Sequence, residues 1–286
     1  DLYDFMSADN GRFVANAHTL IKIAQVIMLF PFTGWLVKMT YLIVPGEDQK
    51  VGYRESYQLK YIGDKVVFNP ATAVVEVIKE LERMASLAEE NLNRAMNALI
   101  TLDEEDIEEV YEVEKNINFL NHAITDYLVK INQTTLPIED LNSLGALFHV
   151  VNDIERIGDQ ASDIAEIVTY LSGACGHNTH IDQMAQATIK MVTDSLDAFV
   201  RRDLTLAWSV IEYDDVVDRL FDECKSDLIA EIAQNPEDGE RVLDVLMIAK
   251  YLERIGDHAT NIAEWVEFSI TGSHKSAMHG AEAAAR

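Results

Sequence analysis

The chain is poor in the residues that interrupt regular structure. Its 286 residues include 13 glycines and 5 prolines, a composition that excludes a fold of many short strands joined by tight turns. Cys175 and Cys224 are its only cysteines and stand far apart. They exclude a disulfide framework and a paired-cysteine zinc site, leaving reduced structural thiols and pointing to the cytoplasm. Positive charge is also scarce, with 23 Lys and Arg against 49 Asp and Glu for a formal charge of −26. A nucleic-acid surface needs Lys and Arg to replace phosphate counterions, so nucleic acid is not an expected partner. The imbalance suits cation binding, although solvated acidic helix faces produce it too. The sequence has no Gly-rich nucleotide loop, no HExxH pair and no nucleophile elbow. It therefore gives no reason to expect an enzyme. Glu-x-x-His is absent at every histidine, which disfavours an oxygen-activating di-iron centre.

What the chain does contain is apolar residues at helical spacing over long runs, the pattern of an all-α protein. It begins with Asp1 and shows no signal-peptide pattern, so a fragment or processed piece is expected. Phe13 to Val44 is apolar, and Ile23 to Val37 carries no formal charge. Spanning a membrane takes about twenty mostly apolar residues. This run reaches that length if Lys22 and Lys38 snorkel at its ends, with Trp35 and Tyr41 at an interface and Pro31 bending the helix. A buried amphipathic helix is the competing account. Lys50, Arg54 and Lys60 follow the run, so a spanning helix would leave the rest of the chain cytoplasmic. Residues 1–45 are thus expected to be a membrane segment and 46–70 a connector. Within the connector, Tyr57 to Phe68 reads as a short strand pair or an irregular link.

Asn69-Pro70 is a good helix start. Six helices are predicted from there, over Ala71–Thr101, Asp103–Asn132, Pro137–Ser172, Asn178–Arg201, Asp203–Gln234 and Pro236–Thr271. Asp103, Asp203 and Asn235-Pro236 mark starts, and Gly173-Ala-Cys-Gly176 separates two halves. The halves, 71–172 and 178–271, are a repeat. An offset of 100 superposes Met84-Ala85 on Met184-Ala185, Asp103 on Asp203 and Leu128 on Leu228, and an offset of 98 superposes Glu155 on Glu253. Each half is a three-helix unit, and the two are expected to stack as a six-helix bundle over 71–272. Residues 273–286 read as a disordered tail.

The densest signal is Asp153-Ile-Glu-Arg-Ile-Gly-Asp-Gln-Ala-Ser-Asp-Ile-Ala-Glu166, which returns as Tyr251-Leu-Glu-Arg-Ile-Gly-Asp-His-Ala-Thr-Asn-Ile-Ala-Glu264. Glu155, Asp159 and Asp163 lie one helical turn apart on one face, as do Glu253, Asp257 and Asn261. Ile157, Ala161, Ile164 and Val168 form the opposite, core-facing stripe, so the acids fit an ordinary wet face. Stacked like charges nevertheless weaken a helix by a few tenths of a kcal/mol per pair. The second helix of each unit adds Asp214, Asp218 and Asp222, matched by Glu114, Asn118 and His122. Second and third helices packed side by side would let these carboxylates bridge iron, zinc or another divalent ion. Solvated faces remain the alternative. Gly158 and Gly256 cost about 1 kcal/mol each relative to Ala within a helix and suggest the close approach of another backbone. His258 projects about 100° from Asp257 and is a poor co-ligand. Arg156 and Arg254 are placed to hold neighbouring acids.

At these residues the sequence resembles the PhoU family, which has paired three-helix repeats with Glu-Arg-x-Gly-Asp on the third helix. Here the motif is Glu155–Asp159 and Glu253–Asp257, with acidic second-helix motifs at Glu114–Asn118 and Asp214–Asp218, over Ala71 to Ile270. The resemblance implies multinuclear iron or zinc binding through such pairs and a role in regulating phosphate uptake. Asn118 and Asn261 depart from the all-carboxylate pattern. Val14-Ala-Asn-Ala-His-Thr-Leu20, Leu29-Phe-Pro-Phe32, Asn69-Pro-Ala-Thr-Ala73 and Glu80-Leu-Glu-Arg-Met84 are similar to the last membrane helix and connector of bacterial sodium/phosphate cotransporters. Ile21-Lys22 departs from that family, and its Gln-Ser-Ser substrate motifs are not in this chain. This second resemblance implies the C-terminal part of a sodium-dependent phosphate symporter with a cytoplasmic PhoU-like regulatory domain at the cell membrane. The partners it implies are inorganic phosphate, the coupling ion sodium, membrane lipid and a second copy in a homodimer. The alternative is a free-standing PhoU-like metal-binding regulator.

Overall fold

The computed structural model describes residues 57–63, 70–134, 138–171 and 179–272. The expected membrane segment, most of the connector, the Asn69 cap, Cys175 and the tail lie outside those residues. Six long helices form the bundle: α1 (Pro70–Thr101), α2 (Glu104–Asn132), α3 (Ile138–Tyr170), α4 (Thr179–Arg201), α5 (Leu204–Gln234) and α6 (Gly239–Thr271). Among the described residues no helix is long and apolar enough to cross a membrane.

The helix starts follow from local chemistry. Asp103 accepts a hydrogen bond from the Glu105 amide (2.9 Å), and Asp203 accepts from the amides of Thr205 (3.0 Å) and Leu206 (3.1 Å). Each aspartate thereby satisfies N–H groups that a helix leaves without intrahelical partners. The residue before each cap takes the left-handed conformation, Leu102 at φ 55° and Arg202 at φ 52°. The same two-residue turn is therefore built at the same point of both repeats. Asn235, by contrast, makes no side-chain cap, and Pro236–Asp238 form a 3₁₀ turn before α6 begins at Gly239. Pro236 does open the sixth helical segment, but as a tighter turn than the expected α-helix.

Within each repeat the three helices pack against one another, and the repeats join chiefly through α3 on α6, with a smaller α1–α4 contact. The core is continuous. Ile157, Ala161 and Ile164 on α3 and Ile255, Ala259 and Ile262 on α6 are all fully buried, as the apolar stripe predicts. Burial repeats in register too, with Leu81, Met84, Ala88 and Leu92 matched by Ile181, Met184, Thr188 and Val192. The helical glycines face side chains, not the backbone expected of them. A Cβ on Gly158 would meet Ile117 at 3.0 Å, and one on Gly256 would meet Val217 at 3.5 Å.

The segment 57–63 has no strand; it is an irregular strap laid on the bundle. Glu80 of α1, fully buried, accepts hydrogen bonds from the amides of Lys60 and Tyr61 (2.6 Å for Tyr61) and from Arg83 Nε (3.0 Å). Arg83 also donates to the Gln58 carbonyl (2.9 Å), and the Tyr57 ring lies 5.9 Å from that of Phe119 on α2. A buried carboxylate is stable when its lone pairs are filled, and the strap backbone fills them.

Candidate functional site

Side-by-side packing of α2 with α3, and of α5 with α6, brings the acidic ladders together in two equivalent places. In the first repeat Glu114 and Asn118 meet Glu155 and Asp159. Burial raises the pKa of Glu114, and the charge of Asp159 raises it further. Glu155 is raised by burial and then by Asp159, while Asp159 is raised by burial against the opposing pull of Arg156. Asn118 donates its amide to Glu114, and Arg156 lies 3.4 Å from Asp159 and 3.7 Å from Glu155.

In the second repeat Asp214 and Asp218 meet Glu253 and Asp257. Asp214 is the most perturbed of the group, pushed up to about 6 by burial and then by the charges of Asp218 and Asp257. Asp218 is raised by burial and by Glu253, and Asp257 by burial, Glu253 and Asp218. Lys250 pairs with Glu253. Glu114, Glu155 and Asp159 thus occupy the positions of Asp214, Glu253 and Asp257, and Asn118 stands where the second repeat has Asp218.

These carboxylates destabilise one another in their charged forms, which is the field that attracts a multivalent cation. The donor set is all oxygen, from two helices, and fits a carboxylate-bound ion in chemistry. Among the described residues, however, no three of the acids and histidines converge closely enough to enclose a metal ion. Arg156 and Lys250 supply part of the balancing charge.

Asp163 and Asn261, the last rungs of the third-helix ladders, sit at the contact between repeats. Asn261 donates to Asp153 of α3 (3.2 Å), and His258 Nδ1 makes a hydrogen bond of 2.9 Å with the same Asp153 oxygen. His258 therefore makes its hydrogen bond at the joint between the repeats, and its charge acts on Asp257 and Asp159 from there. Asp163 is raised by burial, Asp159 and Glu166, with Arg254 of α6 opposing. Asp222 lies with His180, Asp215, Asp218, Arg219, Glu223, Ser226 and Asp227 along a groove of about 650 Å³. Asp153, Lys250 and Glu80 were missed from sequence. Glu80 and Lys250 left local traces, each three residues before an oppositely charged partner, Arg83 and Glu253, on one helix face. Cys224 is buried, with burial pushing its thiol up to about 11, in keeping with an inert structural residue.

A pair of three-helix repeats, each carrying an acidic cluster between its second and third helices, defines a helical binding or regulatory module. The chain belongs to the PhoU domain family, which matches residues 74–168 and 181–266. It is 34% identical over 201 residues to a phosphate-specific transport system accessory protein PhoU homolog of Clostridium acetobutylicum, covering 69% of this chain and 92% of that protein. The corresponding Pseudomonas aeruginosa homolog is 36% identical over 205 residues, covering 69% of this chain and 84% of its own length. A crystal structure of PhoU from Pseudomonas aeruginosa superposes with a TM-score of 0.70 at 33% identity, over 72% of this chain and 100% of that one. The six-helix, two-repeat architecture agrees with the sequence reading. The resemblance to sodium/phosphate cotransporters draws no support from these matches, which favour the regulator alternative.

Proposed function

We propose that this protein is an accessory regulator of phosphate transport whose two acidic clusters take up iron or zinc. One observation carries the reading: oxygen-bearing side chains recur at equivalent positions in both repeats, where burial raises Glu114, Glu155, Asp159, Asp214, Asp218 and Asp257 and repulsion from neighbouring acids adds to it at all of them but Asp159. A cation supplies the charge neutralisation that Arg156 and Lys250 provide only in part. Glu114, Asn118, Glu155 and Asp159 would hold it in the first repeat, and Asp214, Asp218, Glu253 and Asp257 in the second. Asp163 and Asn261 stay with the contact between repeats. The regulator works at the cytoplasmic face of a phosphate transporter, biasing one transport state by docking when loaded, without covalent chemistry.

The test compares the metal content of the chain with that of Glu155→Ala/Asp159→Ala and Glu253→Ala/Asp257→Ala. Each double variant is expected to lose the metal of its own repeat. Equal content in all three proteins would mean that these are plain solvated faces. Phosphate uptake in cells lacking the gene, with and without complementation, tests the regulatory part; unchanged uptake argues against it.

A second reading attaches the same domain to a sodium-coupled phosphate symporter. It rests on residues 1–70, which precede the matched region and include the uncharged stretch Ile23–Val37. Detergent dependence decides it: a chain that stays monodisperse without detergent removes the membrane helix on which this reading stands.

A further inference from the structure

Hydroxyl groups on these helices commonly turn back on their own backbone. Those of Ser86, Thr193, Ser226 and Thr271 donate to the carbonyl four residues earlier, which satisfies the donor locally. Ser162 on α3 and Thr260 on α6 depart from this habit. Both hydroxyl oxygens are buried, and neither meets a partner in hydrogen-bonding geometry. The offset of 98 carries Ser162 onto Thr260, so the departure recurs at one point of both repeats, while the neighbouring pairs Gln160 and His258, and Asp163 and Asn261, have diverged. A buried O–H with nothing to donate to weakens a fold. Its retention in both halves points to a role beyond packing.

Thr260 stands beside the second acidic cluster. One turn before it, Gly256 carries no side chain, and Asp214 Oδ1 lies 3.8 Å from where a Cβ would stand. Residues 256 and 260 share a helix face, so the Thr260 hydroxyl is the next group that Asp214 meets along α6. Burial raises the Asp214 carboxyl most, followed by the charges of Asp218 and Asp257; the Thr260 hydroxyl is close enough to oppose them as a donor to the charged form. In the first repeat Asn118 donates to Glu114. In the second its place is taken by Asp218, which as a carboxylate has no proton to donate, and Thr260 supplies the donor there. A carboxylate that ligates an ion is held in orientation by such a hydrogen bond from behind. We propose that Thr260 is a positioning residue of the second cation site, its hydroxyl donating to the Asp214 carboxylate and holding it toward an ion shared with Asp218, Glu253 and Asp257. The assignment rests on the cation reading above and adds to it a neutral residue outside the repeated acidic pattern.

The experiment uses the full chain carrying Glu155→Ala/Asp159→Ala, which keeps the second cluster intact, and follows zinc, and ferrous iron under argon, by competition with a chromophoric chelator. Thr260→Val keeps the volume, removes the hydroxyl and is expected to weaken metal binding by about tenfold. Thr260→Ser restores the hydroxyl without the methyl group and should return affinity to within about twofold of the threonine protein. Thermal unfolding with chelator present separates this from packing. Thr260→Val should unfold at the same temperature as the threonine protein or higher, because a buried donor has been removed; a lower temperature would mark the loss as structural and overturn the assignment. Equal affinity in the valine and threonine proteins would overturn the positioning role and leave the cation site standing. Equal weakening by valine and serine would overturn it too, since shape and not the hydroxyl would then decide. No binding of either metal by the Glu155→Ala/Asp159→Ala protein would overturn the cation reading and this assignment with it.

Discussion

Asp214→Asn isolates the electrostatic cost of the second cluster. Asp214 titrates at about 6 in the folded chain, against an ordinary value of 3.8. A carboxyl whose pKa is raised by folding holds its proton more tightly folded than unfolded. Its contribution is therefore most favourable below about pH 4, where both states are protonated, and is lost as pH climbs from about 4 through 6. A shift of about two units corresponds to roughly 3 kcal/mol. Because the side chain is partly exposed, solvent screening reduces this to about 1–1.5 kcal/mol. The asparagine keeps the shape and removes the charge. Urea denaturation of chelator-treated protein is expected to show Asp214→Asn more stable than the parent by about 1 kcal/mol at pH 8, and the two proteins equal at pH 4. The reasoning fails if the difference is constant across pH, or if the variant is the less stable protein at pH 8. Added zinc or iron should stabilise the parent at pH 8 and narrow the gap.

Other substitutions probe the scaffold. Glu80→Ala removes the acceptor for two strap amides and the partner of Arg83, and is expected to cost about 3 kcal/mol in chemical denaturation. The Lys60 and Tyr61 amides should lose hydrogen-exchange protection, and retained protection would show that the strap is held otherwise. Gly256→Ala meets only ordinary contacts and should raise stability by about 0.5–1 kcal/mol through helix propensity. Gly158→Ala presses on buried Ile117 and should be the less stable of the two alanine variants by about 1 kcal/mol or more, read as a difference in Tm. Asp203→Ala should cost about 1 kcal/mol, because two amides lose their cap. Cys224 should react with a thiol reagent only in denaturant, and rapid labelling of the native chain would contradict its burial.

The helices and the repeat could be read from the sequence because their causes are local. Asp103 and Asp203 announce their helices, and the offset of 100 aligns the acids of α2 with those of α5. The pairing of those acids with Glu155 and Glu253 followed once two helices of one unit were laid side by side. Other features depend on contacts between distant segments. Nothing near Glu80 in sequence says that a strap some twenty residues earlier will fill its lone pairs. Asp153 looked like the first residue of a motif, and its partners, His258 and Asn261, lie more than a hundred residues away. The asparagine at 261 was placed on its ladder alone, and its amide donates to Asp153 of the first repeat. Gly158 and Gly256 were read as backbone contacts because spacing reveals that room is needed but not what fills it.

The contact between Asp153 and the pair His258 and Asn261 bears on how a duplicated sequence avoids joining like to like. By the offset of 98, the first-repeat counterparts of His258 and Asn261 are Gln160 and Asp163. If two first repeats met through their third helices, each Asp153 would face the Gln160 amide and the Asp163 carboxylate in place of an imidazole and an amide. Two second repeats would set Tyr251 against that imidazole and amide, with no carboxylate to receive them. Only the unlike pairing gives the Asp153 carboxylate two donors and no opposing carboxylate, so divergence at three positions makes each half of the chain prefer the other half to its own copy in a neighbouring molecule.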